Sequence, residues 1–384
     1  MSLPPPSEDA LAHSRRLRDT LWERIAAAGG WISFAEFMGT ALYAPGLGYY
    51  AAGARKFGAA GDFVTAPEMT RLFGRALAAQ AAQVMAASAP AILEVGAGSG
   101  RLAADILLTL AEQDALPERY AILDLSADLR ERQRQTLAAT CPALLPRVEW
   151  LDRLPERFSG LVLGNELLDA MPVHLLVWQG GEARERGVVR EGEGFAWESR
   201  PLPAILTDAA RALESDFAPG DGYLAEVGLA AQAWAAVWGG ILESGTVLLL
   251  DYGFPRREFY HPQRGGGTLM CHYRHHAHGD PLWLPGLQDI TAHVEFTAVA
   301  AAAHGAGLEL QGYTSQGQFL LNCGILDQLA CLPTDSADYI RGAGAVNKLI
   351  LPHEMGELFK VIAFGRGEAP GLLGFRRGDQ SHRL

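Results

Sequence analysis

Residues 91–100 read AILEVGAGSG, and this stretch decides the fold. Ala91, Ile92 and Leu93 begin an apolar run that suits a buried strand. Glu94 interrupts the run, and glycines then recur at 96, 98 and 100. RLAADILLTLAEQ (101–113) follows with the apolar spacing of a helix. A glycine-rich turn between strand and helix lets a ligand approach the backbone closely at positive φ. Outward from here the rhythm repeats. YAILDLS (120–126), RVEWLD (147–152) and GLVLGNEL (160–167) read as strands, with ADLRERQRQTLAAT (127–140) as an intervening helix. AAQAWAAVWGGILES (230–244) returns as a helix and GTVLLLDYG (245–253) as a buried strand. VEFTAVAAAAHGAG (294–307) reads as a helix and FKVIAFGRG (359–367) as a final strand. Apolar strands alternating with helices predict an α/β fold whose parallel sheet is covered on both faces.

The remaining segments divide the chain. Residues 1–88 form an N-terminal helical and lid-like region. A helix over 7–29 is capped by Ser7 or Asp9 and stopped by Gly29-Gly30, and a second helix spans about Glu68 to Met85. Residues 89–172 are the first part of the α/β domain. VHLLVWQGGEARERGVVREGEGFAWESR (173–200) reads as antiparallel strands, so 173–230 is an inserted α+β region. Residues 231–384 complete the domain, with a long loop at 254–292 rich in Gly and His.

Bulk properties narrow the function. The 384 residues carry a net charge of -12, 49 % hydrophobic and 20 % charged residues. An acidic chain is a poor binder of phosphate backbones, so no nucleic-acid partner is expected. No apolar run of about 18 residues exists, so no membrane insertion is expected. The N-terminus lacks the apolar core of a signal peptide and carries acids, unlike a transit peptide. Four cysteines without a C-x-x-C pair fit a reducing compartment, and the Ala, Gly and Arg usage fits a GC-rich bacterial genome. The expected location is cytoplasmic, or the mitochondrial matrix if the source is eukaryotic.

Three motifs converge on one crevice. A dinucleotide loop of the G-x-G-x-x-G type would place glycine at 101, where this chain has Arg101. The E-x-G-x-G-x-G form of Glu94, Gly96, Gly98 and Gly100 instead resembles motif I of class I S-adenosylmethionine-dependent methyltransferases. That resemblance implies glycines passing under the methionine part of the cofactor and Glu94 near its amino group. Asp124, with Leu125 beside it, ends the next strand, where an acid accepts from ribose hydroxyls. A helix cap is the competing role for Asp124, and Ser126 could serve instead. The third motif is LVLGNELLDAMPVHLL (161–176), which sets Asn165, Glu166 and Asp169 at the carboxyl edge of a strand. Ligands of open α/β sheets bind at that edge. Asp169 would also suit a helix cap, but a cap accounts for one of the three polar groups.

GNELLDAMPVHLL, with ISFAEFMGTALYAPGLGYY, GDFVTAPEMTRLFGRALAAQ, LLLDYGFPRREFYHP and GGGTLMCHYRHHAHGDPLWLPGLQDITAHVEF, resembles the MidA-like family of class I methyltransferases. TSQGQFLLNCGI and MGELFKVIAF match as well, and the resemblance spans about residues 31–365. Asp124 stands where the family pattern has Glu. The resemblance implies a Rossmann-like methyltransferase sheet and S-adenosyl-L-methionine as cofactor. It also implies symmetric dimethylation of a protein arginine, on a core subunit of NADH:quinone oxidoreductase. Glu166 and Asp169 become the expected catalytic carboxylates. His293 becomes a proton acceptor, and Asn165 orients the cofactor or substrate. Tyr252 and His275 become substrate contacts. Thr65 lies in a segment that lids the cofactor, although a capping box of Thr65 with Glu68 explains GDFVTAPE equally well. The His-rich CHYRHHAHGD (271–280) lacks a second ligand pair at a recognised spacing, and no metal centre is expected. A small-molecule methyltransferase and a non-catalytic complex I assembly chaperone remain the rival readings, and a homodimer is an open expectation.

Overall fold

A computed structural model describes residues 3–52, 65–367 and 371–384. Seven strands run across the central sheet: β1 (Ala91–Val95), β2 (Arg119–Leu123), β3 (Val148–Leu151), β4 (Phe158–Asn165), β5 (Leu242–Phe254), β6 (Glu309–Ser315) and β7 (Phe359–Arg366), and the two-residue Val294–Glu295 pairs with the end of β5 as an eighth. Their order across the sheet is 3-2-1-4-5-7-6. β3, β2, β1, β4 and β5 pair in parallel, with Ile92 opposite both Tyr120 and Leu161. β7 runs antiparallel to both β5 and β6. Strand order reverses between β1 and β4, and the crevice beyond their carboxyl ends is the ligand position of such sheets.

Alternation of side chains explains the two cores. Ile92, Ile122, Leu161, Leu163, Leu248 and Leu250 pack to one face with the helices Arg71–Ala87 and Arg101–Glu112. Leu93, Val95, Val162, Val247, Leu249 and Ile362 pack to the other with the helices Leu229–Ile241 and Phe296–Gly305. Both faces are dry, so these strands read as continuous apolar runs rather than alternating ones.

A second layer forms beside the crevice. The helix Glu8–Ala27 starts at Ser7, whose hydroxyl accepts from the Ala10 N–H at 3.3 Å. Its buried stripe, Leu17, Leu21 and Ile25, packs with Val173, Leu175 and Val188 of the inserted region. Ile32 and Ser33 pair antiparallel with Val188 and Gly187, which joins the N-terminal segment to the inserted sheet. That sheet comprises His174–Gln179, Glu182–Glu191, Gly194–Pro201 and Leu224–Val227, beside the helix Ala204–Phe217.

Two local expectations give way. The span 254–292 contains a small antiparallel sheet, Met270–Tyr273, His276–His278 and Asp289–Thr291. Strands of three or four residues are too short to print a periodicity. The Thr65–Glu68 capping box does not form. Thr65 makes no side-chain cap bond, and the first helical turn ends after Met69. Thr70, extended at φ -162°, caps the helix Arg71–Ala87 by accepting from the Leu72 N–H at 3.3 Å. The rest of GDFVTAPE, residues 61–64, lies outside the described residues. Among the described residues, no helix is long and apolar enough to cross a membrane.

Candidate active site

A cavity of about 730 Å³ opens at the carboxyl ends of β1, β2 and β4. That is the size of a site for a cofactor-sized ligand. Among the described residues it is lined by seven carboxylates and a single cationic side chain, Arg153. Such a pocket is built to receive positive charge.

The glycine loop forms its floor. The Gly96 N–H donates to Leu123 O at 2.9 Å, tying the loop to β2. Gly98 takes φ +52°, and a Cβ there would meet no atom of the described residues within 4 Å. The space beside it opens into the cavity that Gly98 lines. Gly100 takes φ +82° for a different reason, because a Cβ there would come within 3.0 Å of Gln133 Cα. Glu94, buried below the loop, accepts from the Tyr120 hydroxyl at 2.7 Å. Burial pushes its carboxyl up to about 7, against the pull of that hydrogen bond, and the charge on Asp124 adds to the rise.

Asp124 is not the helix cap. Ser126 takes that role, accepting from the Leu129 N–H at 3.3 Å. Asp124 is oriented instead by the Ser126 N–H at 3.0 Å and by Gln133 Nε2 at 2.9 Å. The fully buried Gln133 also donates to Gly98 O at 3.1 Å and accepts from Trp150 Nε1 at 3.0 Å. One amide therefore locks the glycine loop to the acid at the end of β2. Beside them Leu125 is 81 % exposed while lining the cavity. The carboxylate of Glu68 accepts from Ser99 Oγ, so the segment at 65–69 rests on the glycine loop, and Thr65 and Pro67 line the cavity with it.

The third wall follows β4. No helix follows Asp169; the chain turns and enters the strand His174–Gln179, so Asp169 caps nothing. Glu166 is held at φ +49°, a left-handed conformation unusual for a residue with a Cβ. Two anchors hold it there. The Glu166 N–H donates to Leu250 O at 2.8 Å. Asp251, fully buried at the end of β5, accepts from the N–H groups of Leu167, Leu168 and Asp169 at 3.0, 2.8 and 3.3 Å. Burial and the neighbouring charge of Asp169 raise the Asp251 carboxyl, and the N–H donors oppose that rise.

The turn presents three polar side chains to the cavity, those of Asn165, Glu166 and Asp169. Asn165 Nδ2 donates to Glu166 Oε1 at 3.1 Å. Asp169 Oδ2 accepts from the Tyr252 hydroxyl at 2.6 Å. Asn165 Oδ1 and Asp169 Oδ1 are buried without a hydrogen-bond partner among the described residues. Burial and the charge of Asp169 push Glu166 up to about 8, and burial pushes Asp169 up to about 6. Buried acceptors left unpaired are costly, and a cation or donor from a ligand would relieve them.

The three other expected residues sit elsewhere. Tyr252 reaches the site only through Asp169, and it does not line the cavity. His293 stacks edge-on against Tyr252 at 5.2 Å, one layer further back. Burial, with the positive charge of Arg264, lowers it to about 4, so it is neutral. His275 is exposed in the turn between Met270–Tyr273 and His276–His278, at φ +63°, outside the cavity lining.

Sequence reading missed Gln133, Asp251, Asp289, Tyr43 and Tyr50, although the last three line the cavity. Gln133 had a visible signal, because it lies between Leu129 and Leu137 on the buried stripe of its helix. A polar residue on an apolar stripe needs a partner.

The strand order, the glycine loop at the switch point and the acid ending β2 together define a class I S-adenosylmethionine-dependent methyltransferase. The donor set fits that cofactor: an open cradle at Gly98, a fixed carboxylate at Asp124 and an acidic lining suited to a sulfonium and an ammonium. Residues 72–314 match a family model of S-adenosyl-L-methionine-dependent methyltransferases. The mitochondrial protein arginine methyltransferase NDUFAF7 of Danio rerio is 30 % identical over 377 residues, 88 % of this chain and 84 % of its own. The Drosophila melanogaster homolog is 30 % identical over 96 % of this chain and 90 % of its own. A Burkholderia thailandensis protein regarded as a methyl transferase, crystallised with S-adenosyl-homocysteine, is 52 % identical. The two chains match over their full lengths with a TM-score of 0.96. The chain belongs to the MidA-like family of class I S-adenosylmethionine-dependent methyltransferases.

Proposed function

We propose that this methyltransferase modifies a protein arginine, giving symmetric dimethylarginine on a core subunit of NADH:quinone oxidoreductase. The observation that carries the arginine reading is the buried acidic turn, Glu166 and Asp169, beside the glycine loop. Its unpaired Asp169 Oδ1 would accept from a guanidinium N–H. The names of the relatives support the same substrate class. The subunit and the symmetry of the product rest on the family resemblance. If the source is bacterial, the location proposed is the cytoplasm.

In this reading Gly96, Gly98 and Gly100 let the cofactor lie against the backbone. Glu94 faces its amino group, Asp124 accepts from the ribose and Leu125 covers the adenosine end. Thr65 closes over it, and Asn165 Oδ1 accepts a hydrogen bond from cofactor or substrate. S-adenosylmethionine supplies an electrophilic methyl group. A guanidinium is a weak nucleophile because it stays protonated below pH about 12. Glu166 and Asp169 grip its planar fork and draw positive charge away from the attacking nitrogen. They also hold that nitrogen in line with the methyl and the sulfonium, which removes much of the orientational cost of the displacement. The proton released on methylation passes to one of these two carboxylates. His293 acts only through Tyr252.

Two outcomes follow. Both carboxylates must be ionised to hold a cation, and both are shifted upward. The ratio kcat/KM should therefore fall as pH drops through about 8 and again through about 6. A pH–rate profile flat from pH 5.5 to about 8.5 would remove their role. Gln133→Leu should weaken S-adenosyl-homocysteine binding roughly tenfold, since Asp124 loses one of its orienting donors, the backbone N–H of Ser126 remaining. It should cost about 1–3 kcal/mol of stability through the unpaired Gly98 carbonyl. Calorimetry and thermal melting separate the two effects. The substrate class is tested by incubating the chain and methyl-labelled S-adenosylmethionine with lysate. Label in protein supports the reading, and label confined to small molecules replaces it with a small-molecule methyltransferase. No heat on titrating S-adenosylmethionine would instead favour an assembly chaperone.

A further inference from the structure

Asp289 lies far from the motifs in sequence, yet it lines the same cavity as Glu166 and Asp169. It starts the strand Asp289–Thr291 of the small sheet within 254–292, with its backbone register set opposite His272. It is 2 % exposed, and its Oδ1 accepts from the Tyr50 hydroxyl at 2.8 Å. Tyr50 stacks on Tyr43 with ring centroids 5.6 Å apart and planes 21° from parallel. The Tyr43 hydroxyl donates to Ala170 O at 2.9 Å, on the turn that carries Asp169. Both tyrosines line the cavity too. The N-terminal segment, the small sheet and the β4 turn thus meet at one end of the pocket.

That end carries three carboxylates from two distant segments. The single lining cation among the described residues, Arg153, follows β3, which lies beyond β1 and β2 from β4 in the sheet. Asp169 is 5 % exposed, and its Oδ1 makes no hydrogen bond among the described residues. A buried acceptor without a partner, set among like charges, marks a place for a cation. Both tyrosines add aromatic surface to this end of the cavity, and aromatic surface suits a planar guanidinium better than a compact ammonium.

We propose that Asp289, fixed by Tyr50, is a third substrate-binding carboxylate, and that with the Tyr43–Tyr50 pair it selects a guanidinium side chain. The inference rests on the arginine reading and adds the residues that discriminate. Asp289 is delivered by the small sheet within 254–292 and not by the central sheet. The catalytic turn alone therefore supplies only part of the grip.

The test uses the full chain loaded with S-adenosyl-homocysteine and titrated calorimetrically with two probes, ethylguanidinium and propylammonium. Wild type should bind ethylguanidinium more tightly than propylammonium. Asp289→Asn should weaken ethylguanidinium roughly tenfold or more, the scale of a lost charge-assisted contact. Tyr50→Phe should give a smaller loss in the same direction. Affinity for S-adenosyl-homocysteine should stay within about twofold in both variants, which separates a lost grip from a damaged fold. Equal ethylguanidinium affinity in wild type and Asp289→Asn, or no binding of either cation to wild type, overturns the proposal. Tighter propylammonium binding that is lost in Asp289→Asn would keep Asp289 as a cation contact while removing the arginine reading.

Discussion

Glu166→Gln and Asp169→Asn are each expected to lower kcat/KM for methyl transfer by about 100-fold or more, the loss typical of removing one preorganised charge-stabilising group. Both substitutions keep shape and remove charge. Cofactor affinity should change little, because Gly98 and Asp124 lie on other strands' ends. The double variant should lose less than the product of the two, since both carboxylates grip one group. A stability control distinguishes this from unfolding. The folded protein holds Glu166 protonated up to about pH 8, whereas the unfolded chain releases that proton near 4.5. The folded state thus binds more protons in that window, so this group's contribution falls as pH rises through it. Glu166→Gln should therefore melt higher than wild type at pH 8, by about 1–3 °C. A variant that is more stable and inactive fits a strained active-site carboxylate. A variant that melts lower and retains full activity would place the residue in the scaffold.

The second large effect concerns the cofactor floor. Gly98→Val should fold, because a Cβ there meets no atom of the described residues within 4 Å, at a cost of about 1–2 kcal/mol for a left-handed φ. It should bind S-adenosyl-homocysteine at least about 100-fold more weakly, since the side chain occupies ligand space. Gly100→Val should behave differently. Its Cβ would press on Gln133 Cα, so the expected result is lost stability, with cofactor loss following from the displaced Gln133. Thermal melting with calorimetry on both variants reads the difference. Equal destabilisation of the two, with cofactor affinity retained by Gly98→Val, would remove the cradle from the account.

Much of this site was legible because its main parts are local. The glycine loop announces itself by strand, turn and helix in a dozen residues. Asn165, Glu166 and Asp169 stood out as polar groups ending an apolar strand, and the structure places all three on the cavity wall. The parallel part of the sheet, β1 to β5, was legible from the same rhythm, whereas β6 (Glu309–Ser315) and the antiparallel course of β7 were not. What escaped depends on packing across long separations. Asp289 reaches the cavity through a sheet whose strands are three or four residues long, and Tyr50 meets it across 239 positions of sequence. Local pattern cannot express such a meeting. Asp251 looked like the ordinary end of an apolar strand, yet it fixes the turn that presents both carboxylates. Glu68 shows the converse error. A capping box was sufficient on local grounds, but Ser99 of the glycine loop competes for its carboxylate, and a separate Thr70 cap opens the next helix.

The central claim is that this chain moves a methyl group from S-adenosylmethionine to an arginine held by Glu166 and Asp169. The most direct measurement is tandem mass spectrometry of the core subunits of NADH:quinone oxidoreductase. They would be taken from cells lacking the gene and incubated with methyl-labelled S-adenosylmethionine and purified protein. The account predicts label on the guanidinium nitrogens of one arginine with wild type, and its loss with Glu166→Gln and with Asp169→Asn. Label on another residue type, or undiminished arginine label with both variants, would contradict it.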